Sequence, residues 1–109
     1  MKEYALTINL QDDPAKIEAY KAYHRAVWPE VLQALKTSGV TKMEIFLLGR
    51  RLFMIMETVD AFDPAHDFKR LEESPRYREW QELMNTFQER VPEAKAGEHW
   101  ATMEKVFAL

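Results

Sequence analysis

A tyrosine, a histidine and a tryptophan follow one another at four-residue spacing in Tyr20-x3-His24-x3-Trp28-Pro29-Glu30. On a helix, this spacing brings a phenol and an imidazole side by side on one face. The unperturbed pKa of histidine lies close to neutral pH, so such an imidazole can both donate and accept a proton. From this helix alone, the expected interpretation is a buried, hydrogen-bonded histidine beside a core tyrosine. The alternative is acid–base chemistry centred on His24.

The helix that carries this pair is predicted over residues 17–27, where Tyr20, His24 and Val27 share one face. Pro29 removes a backbone donor and crowds the carbonyl group four residues earlier, so the helix must kink there, or end and restart. His24 is therefore expected on the core-facing side, close to a helix discontinuity.

Several other polar residues are weaker candidates for a functional site. Glu30 falls in the first turn after the proline, where a carboxylate favours the helix dipole, so a structural role is expected ahead of catalysis. Arg50 and Arg51 lie in a predicted turn and are most simply solvated, with a ligand contact or an inter-subunit ion pair as alternatives. His99 and Trp100 precede the last predicted strand, where a structural role is expected ahead of a place at the rim of a site.

The sequence contains no pattern typical of a metal or thiol site. It has no cysteine, which excludes disulfides, a thiolate nucleophile and cysteine metal ligands. Its three histidines show neither the His-x-His nor the His-Glu-x-x-His spacing. His66 is expected at the surface, and we expect neither a metal nor a cofactor.

Hydrophobic patterning and helix-start signals predict a mixed α+β chain. Strands are predicted where apolar residues alternate or run together. Helices are predicted where Asp-Pro or Ser-Pro pairs supply a cap and a proline at the first helical position. The order β-α-β-β-α-α-β is that of a ferredoxin-like split-βαβ sandwich, with its second helix in two pieces. The predicted strands cover residues 3–10, 40–48, 52–59 and 102–109, and the last helix runs from Ser74-Pro75 to Val91.

One face of the predicted sheet has no cover within a chain of 109 residues, which is the length of a single domain. The helices cover one face, whereas the apolar run Leu52–Met56 is typical of a central strand that is covered on both. We therefore expect a homodimer with the two sheets packed face to face, which makes a dimeric α/β barrel.

Composition and charge argue against several classes of protein. A net charge of −3 does not fit nucleic-acid binding, which requires a basic patch. No run approaches the ~18 apolar residues of a membrane span. The opening Met1–Tyr4 lacks the apolar region of a signal peptide. A soluble cytoplasmic protein with no nucleic-acid or membrane partner is expected.

The Tyr20–Glu30 stretch resembles the L-rhamnose mutarotase family, and the similarity extends over nearly the whole chain. It includes Gly39, the apolar hairpin, Arg78-Glu79-Trp80 and the closing tail Glu104–Leu109. The resemblance implies a small dimeric α+β barrel that interconverts the anomers of a 6-deoxy-sugar without a cofactor. Residues 1–109 would form a single mutarotase domain.

The resemblance also implies roles for individual residues. His24 corresponds to the family's proton donor, and Tyr20 and Trp80 correspond to side chains that contact the sugar. Two binding positions depart from the family: Glu79 stands where a tryptophan is expected, and Met43 stands where a strand tyrosine is expected. These departures concern the choice of sugar more than the reaction, so L-fucose is expected at least as strongly as L-rhamnose.

Two other kinds of function fit the same predicted fold. A cofactor-free monooxygenase or a haem-degrading protein can use this dimeric barrel, and fold alone does not separate these enzymes from a mutarotase. A non-catalytic sugar-binding module would keep the pocket without exchanging anomers.

Overall fold

The computed structural model describes every residue from Met1 to Leu109 as an antiparallel sheet with four helices. The strands are β1 (Lys2–Leu10), β2 (Val40–Leu48), β3 (Arg51–Thr58), β4 (Gln88–Glu89) and β5 (Ala101–Thr102). The helices are α1 (Pro14–His24), α2 (Pro29–Ser38), α3 (Pro64–Leu71) and α4 (Pro75–Asn85). None of these helices has the length and apolar character needed to cross a lipid bilayer.

The strands lie in the order β2-β3-β1-β4, and β5 also pairs with β1. Every pairing is antiparallel, with Ile8 of β1 opposite Leu52 of β3 and Ile45 of β2 opposite Met54 of β3. This is the predicted split-βαβ arrangement, in which two helices form each crossover. β1 therefore lies inside the sheet, between strands that come much later in the chain.

Each helix begins with a proline in its first turn, as the sequence predicts. The carboxylates of Asp13 and Asp63 accept hydrogen bonds from backbone N–H groups in the first turns of α1 and α3. Pro29 starts α2 as a new helix, because α1 has already ended at His24. The first helix therefore ends three residues before the end of the predicted range 17–27, and His24 occupies its last position.

The second half of the chain differs from the prediction in the length of α4. This helix ends at Asn85 instead of continuing to Val91, because Gln88 and Glu89 pair with β1. Phe87 still packs against the core, although it lies outside the helix. The apolar residues keep their helical spacing beyond Asn85, but the pairing of β4 with β1 determines where the helix ends.

The predicted last strand, residues 102–109, is reduced to Ala101–Thr102. One further hydrogen bond joins the Met103 N–H to the Ala5 carbonyl at 2.8 Å, and the chain then leaves the sheet. The large apolar side chains of this tail are exposed: Val106, Phe107 and Leu109. Alternating residues form a strand only where a layer covers their apolar face, and a single chain does not provide that layer here.

The two faces of the sheet differ in their cover. On the helix side, three apolar residues of β3 are buried: Leu52, Met54 and Met56. On the other side, Phe53 and Ile55 are half-buried, and Phe46 and Leu48 of β2 are 51% and 84% exposed. The apolar run in β3 is therefore covered on only one of its two faces, and we call the uncovered one the open face.

Candidate active site

Tyr20 and His24 lie side by side at the C-terminal end of α1, as their spacing predicts. Their ring centroids are 4.1 Å apart, and the ring planes are inclined by 30°. Nδ1 of His24 lies 2.8 Å from the backbone carbonyl oxygen of Tyr20. A carbonyl oxygen can only accept, so Nδ1 carries the hydrogen, and Nε2 is the nitrogen that remains available to a ligand.

Burial lowers the pKa of His24 from its ordinary value of 6.5, and the hydrogen bond to the Tyr20 carbonyl opposes part of this shift. At neutral pH the imidazole is therefore uncharged, with a lone pair on Nε2. In this form His24 enters a reaction as a base, and it becomes an acid once it has taken up a proton.

The Tyr20 side chain is 3% exposed, and burial raises the pKa of its phenol to about 12. The nearby Gln88 side chain opposes part of that rise. The phenol consequently stays protonated at physiological pH and can donate its hydrogen to an acceptor.

A pocket of about 290 Å³ opens between the end of α1 and the β2–β3 hairpin. Its helix side is formed by polar residues: Tyr20, Lys21, His24 and Arg25. Its sheet side is formed by apolar residues: Ile45, Leu47 and Leu52. One polar and one apolar wall fit a small ligand that has hydroxyl groups on one side and C–H groups on the other.

A larger cleft, of about 650 Å³, lies between α2 and α3. Its lining is mostly polar and includes Glu30, Asp67 and Arg70, but it contains neither Tyr20 nor His24. We place the candidate active site at the smaller pocket, because that pocket is lined by the acid–base pair.

Trp80 packs against His24 within the hydrophobic core. Its ring centroid lies 5.4 Å from that of His24 and 5.2 Å from that of Trp28. Trp80 is 6% exposed and packs in the main hydrophobic core, together with side chains such as Tyr20 and Leu52. Its edge-to-face contact with His24 supports the imidazole. The Arg76 guanidinium lies over the Trp28 ring, 4.0 Å from its centroid.

Glu79 and Met43 do not line this pocket. The Glu79 carboxylate accepts a hydrogen bond from Arg76 at 2.6 Å and is exposed. Met43 is half-buried on β2 and packs against a group of buried apolar side chains that includes Leu6, Met54 and Met56. The structure therefore brings Tyr20 and His24 together at the pocket and places these two positions outside it.

Three residues near the pair were missed by sequence reasoning. Lys21 and Arg25 line the pocket, and the available signal was that each follows a member of the pair directly in the chain. Gln88 offered no such signal, because the sequence predicted it inside a long α4. Its approach to Tyr20 depends on the pairing of β4 with β1.

The two arginines of the β2–β3 turn have structural partners. Arg50 donates hydrogen bonds to the Leu10 carbonyl and the Glu89 carboxylate, both at 2.9 Å. Arg51 donates to the Asn9 side chain at 2.7 Å. These bonds join the turn to β1 and β4 and hold the hairpin that forms the apolar wall of the pocket.

The remaining sequence candidates lie outside the pocket. His99 donates from Nε2 to the amide oxygen of Gln88 at 2.6 Å. His66 is exposed, as expected, and Glu30 lies 4.0 Å from the Arg76 guanidinium. No group of three His, Cys, Asp or Glu side chains is arranged to hold a metal ion.

These features define a ferredoxin-like α+β protein with an acid–base pocket at the end of its first helix. The sequence profile of the family described as L-rhamnose mutarotase matches residues 3–109. A UPF0734 protein of Dictyostelium discoideum is 45% identical over 112 residues, which cover 99% of this chain and 90% of that protein. An L-fucose mutarotase of Xanthomonas campestris pv. campestris is 38% identical over 111 residues, which cover 100% of this chain and 89% of that protein.

A solved structure has the same fold. The L-rhamnose mutarotase from Formosa agariphila superposes with a TM-score of 0.74 at 22% identity, covering 100% of this chain and 99% of that one. Because the profile and the relatives match almost from end to end, the chain belongs to the L-rhamnose mutarotase family. The predictions of family and fold class are confirmed, and the family is one of isomerases that act on carbohydrates.

Proposed function

We propose that this protein interconverts the α and β anomers of a 6-deoxy-L-hexose, either L-fucose or L-rhamnose. The observation that carries the proposal is the Tyr20–His24 pair, with Nε2 of His24 free, at a pocket that has one polar and one apolar wall. Membership of the L-rhamnose mutarotase family supports it. Residues 1–109 act as a single domain in the cytoplasm, and the reaction uses no metal or cofactor.

Mutarotation opens a hemiacetal ring and closes it on the other face of C1. Opening removes the proton of the anomeric hydroxyl, breaks the C1–O5 bond and adds a proton to O5; closing reverses these steps after rotation about C1–C2. Uncharged His24 takes the anomeric proton on Nε2 and returns it during closing. Because ring opening needs only proton transfers, one base and one acid at the two oxygens are sufficient.

The two walls of the pocket fit a 6-deoxy-sugar in one orientation. The C6 methyl group and the C–H groups of the ring lie against the apolar wall formed by Ile45, Leu47 and Leu52. The hydroxyl groups face the helix side, where Lys21 and Arg25 supply donors. A sugar with a hydroxyl at C6 would place this polar group against the apolar wall. The hydroxyl would then lose its hydrogen bonds to water without replacing them.

Saturation-transfer NMR between the anomer signals tests this function. Exchange is expected to rise on addition of the protein to L-fucose and L-rhamnose, and to rise less with L-galactose, which is L-fucose with a hydroxyl at C6. Heat-denatured protein is the control. No acceleration with either 6-deoxy-sugar contradicts the proposal. A strong preference for L-rhamnose over L-fucose would show that Met43 and Glu79 do not select the sugar.

We also propose that the protein is a homodimer in which the open faces of two sheets pack together. Phe53 of β3 lies opposite Phe46 of β2 on this face, and Phe46 is more than half exposed in the single chain. Contiguous apolar surface of this kind is rare on soluble monomers and marks an interface. The exposed tail, residues 103–109, supplies further apolar surface for a partner.

Phe46→Glu is expected to convert the dimer into a monomer, because it places a charge in an apolar interface without a partner. Sedimentation velocity at micromolar concentration measures the change. Leu32→Glu is the matched control, since Leu32 is also exposed but lies on α2, away from the open face. A wild-type protein that sediments as a monomer contradicts the proposal.

A further inference from the structure

The imidazole of His24 lies at one end of a row of packed side chains. The Trp80 ring lies 5.4 Å from the imidazole and 5.2 Å from the Trp28 ring, measured between centroids, and both contacts are edge-to-face. The Arg76 guanidinium lies over the Trp28 ring, 4.0 Å from its centroid. The row therefore runs from His24 through two indoles to Arg76, which does not itself line the pocket.

Two side chains of α4 hold Trp28 in place. Arg76 and Trp80 are four residues apart on this helix, so they project from the same face. Both contact the ring of Trp28, which lies directly before α2. Tryptophan is the ring that binds a cation best, and Trp28 is half-buried. The indole is therefore fixed by packing against α4.

Arg76 is itself oriented by two carboxylates. Its guanidinium donates a hydrogen bond to Glu79 at 2.6 Å, and the carboxylate of Glu30 lies 4.0 Å away. Exposed ion pairs of this kind contribute little to stability. They do restrict the orientations of a long side chain, and here they keep the guanidinium over the Trp28 ring.

Trp28 bears on His24 because it ends the link between α1 and α2. His24 is the last residue of α1, and α2 begins at Pro29. Trp28 occupies the N-cap position of α2 but makes no side-chain hydrogen bond to the helix. The link is therefore held by the packing of the indole and not by a capping bond, and this packing sets how the imidazole meets Trp80.

We propose that Arg76 is a positioning residue, which holds Trp28 against Trp80 and thereby keeps the imidazole of His24 in the orientation that proton transfer requires. This inference rests on the proposed function and deepens it, because it adds a residue outside the pocket to the same reaction. A misplacement of about 1 Å can lower a rate by on the order of 10²-fold, so contacts beyond the pocket can limit the rate.

Arg76→Met tests the inference, because methionine keeps an unbranched apolar chain but cannot form a cation–π contact. We expect kcat for anomer exchange to fall by about 2- to 30-fold, the range that the free energy of one such contact can supply, with little change in KM. Arg78→Met is the matched control. Arg78 is exposed on the same helix and does not lie over a ring, so this variant should exchange anomers at the wild-type rate.

The NMR signals of the imidazole give a readout that does not depend on activity. The ring protons of His24 lie beside the rings of Tyr20 and Trp80, so their chemical shifts differ from those of the exposed His66. Arg76→Met is expected to move the His24 shifts towards those of His66, and unchanged His24 shifts overturn the inference. The loss of these signals in His24→Gln assigns them.

A double-substitution cycle with Trp28→Leu separates action through the indole from a general effect of the charge. If Arg76 acts through Trp28, Arg76→Met adds no further loss of kcat in the Trp28→Leu background. A full additional loss in that background overturns the inference. Wild-type kcat in a folded Arg76→Met protein also overturns it and needs no second variant. Wild-type protein without anomer exchange overturns the proposed function itself, whereas exchange that is insensitive to Arg76 overturns the inference alone.

Discussion

His24→Gln lowers the rate of anomer exchange by about 10²- to 10⁴-fold, the range expected on loss of a general acid–base residue. Glutamine can hydrogen-bond to the sugar but cannot take up and return a proton. The variant should melt within a few degrees of wild type, because His24 is half-buried at the end of α1. Its one hydrogen bond goes to the backbone of the same helix. Saturation-transfer NMR at equal concentrations of folded protein measures the rate.

His66→Gln is the matched control for this experiment, because His66 is exposed on α3 and should tolerate the change without effect. If His24 is merely a core histidine, replacing it leaves its hydrogen-bond partner unpaired and costs about 1–3 kcal/mol of stability. Exchange per folded molecule is then unchanged. The pH profile gives a second check. His24 works as a base and its pKa is lowered. The rate should therefore fall as the pH drops, and the midpoint of this fall should lie below the ordinary pKa of histidine.

Trp80→Ala destabilises the fold by about 3–5 kcal/mol, the usual cost of removing a buried large aromatic side chain. Trp80 is almost fully buried and contacts both His24 and Trp28, so its loss leaves a cavity beside the acid–base pair. The family resemblance implies that Trp80 contacts the sugar, whereas the burial of the indole leads us to expect that its loss weakens the fold more than sugar binding. Urea unfolding followed by circular dichroism measures the loss.

Trp80→Phe distinguishes packing from sugar contact. A phenyl ring fills most of the same space, so this variant should recover most of the lost stability and keep exchange close to wild type. The opposite result is a Trp80→Ala protein that unfolds at the wild-type urea concentration but no longer binds the sugar. It would show that the indole contacts the sugar, as the family resemblance implies.

Features with local causes were predictable from the sequence. The Asp-Pro and Ser-Pro pairs located the helix starts, because the cap and the proline act within one turn. The Tyr20–His24 contact followed from helical spacing alone. The same local reasoning placed the β2–β3 hairpin, where Gly49 and its neighbours form the turn.

Features that depend on distant partners were not predictable in this way. The end of α4 is set by the pairing of Gln88 and Glu89 with β1, and nothing in the neighbouring residues signals it. The position of Gln88 near Tyr20 has the same origin. The exposed tail kept an alternating pattern that predicted a strand, but the layer needed to cover it is absent from a single chain.

The position of β1 in the sheet has a consequence for synthesis of the protein. β1 leaves the ribosome first, yet its partners are β3, where Ile8 meets Leu52, and β5, where Thr7 meets Ala101. At about 5–20 residues per second, translation takes on the order of seconds to reach those strands. Pairing over such separations also slows the search for the native sheet. The apolar first strand therefore stays unpaired at least until β3 has emerged, and chaperones have that interval in which to bind it.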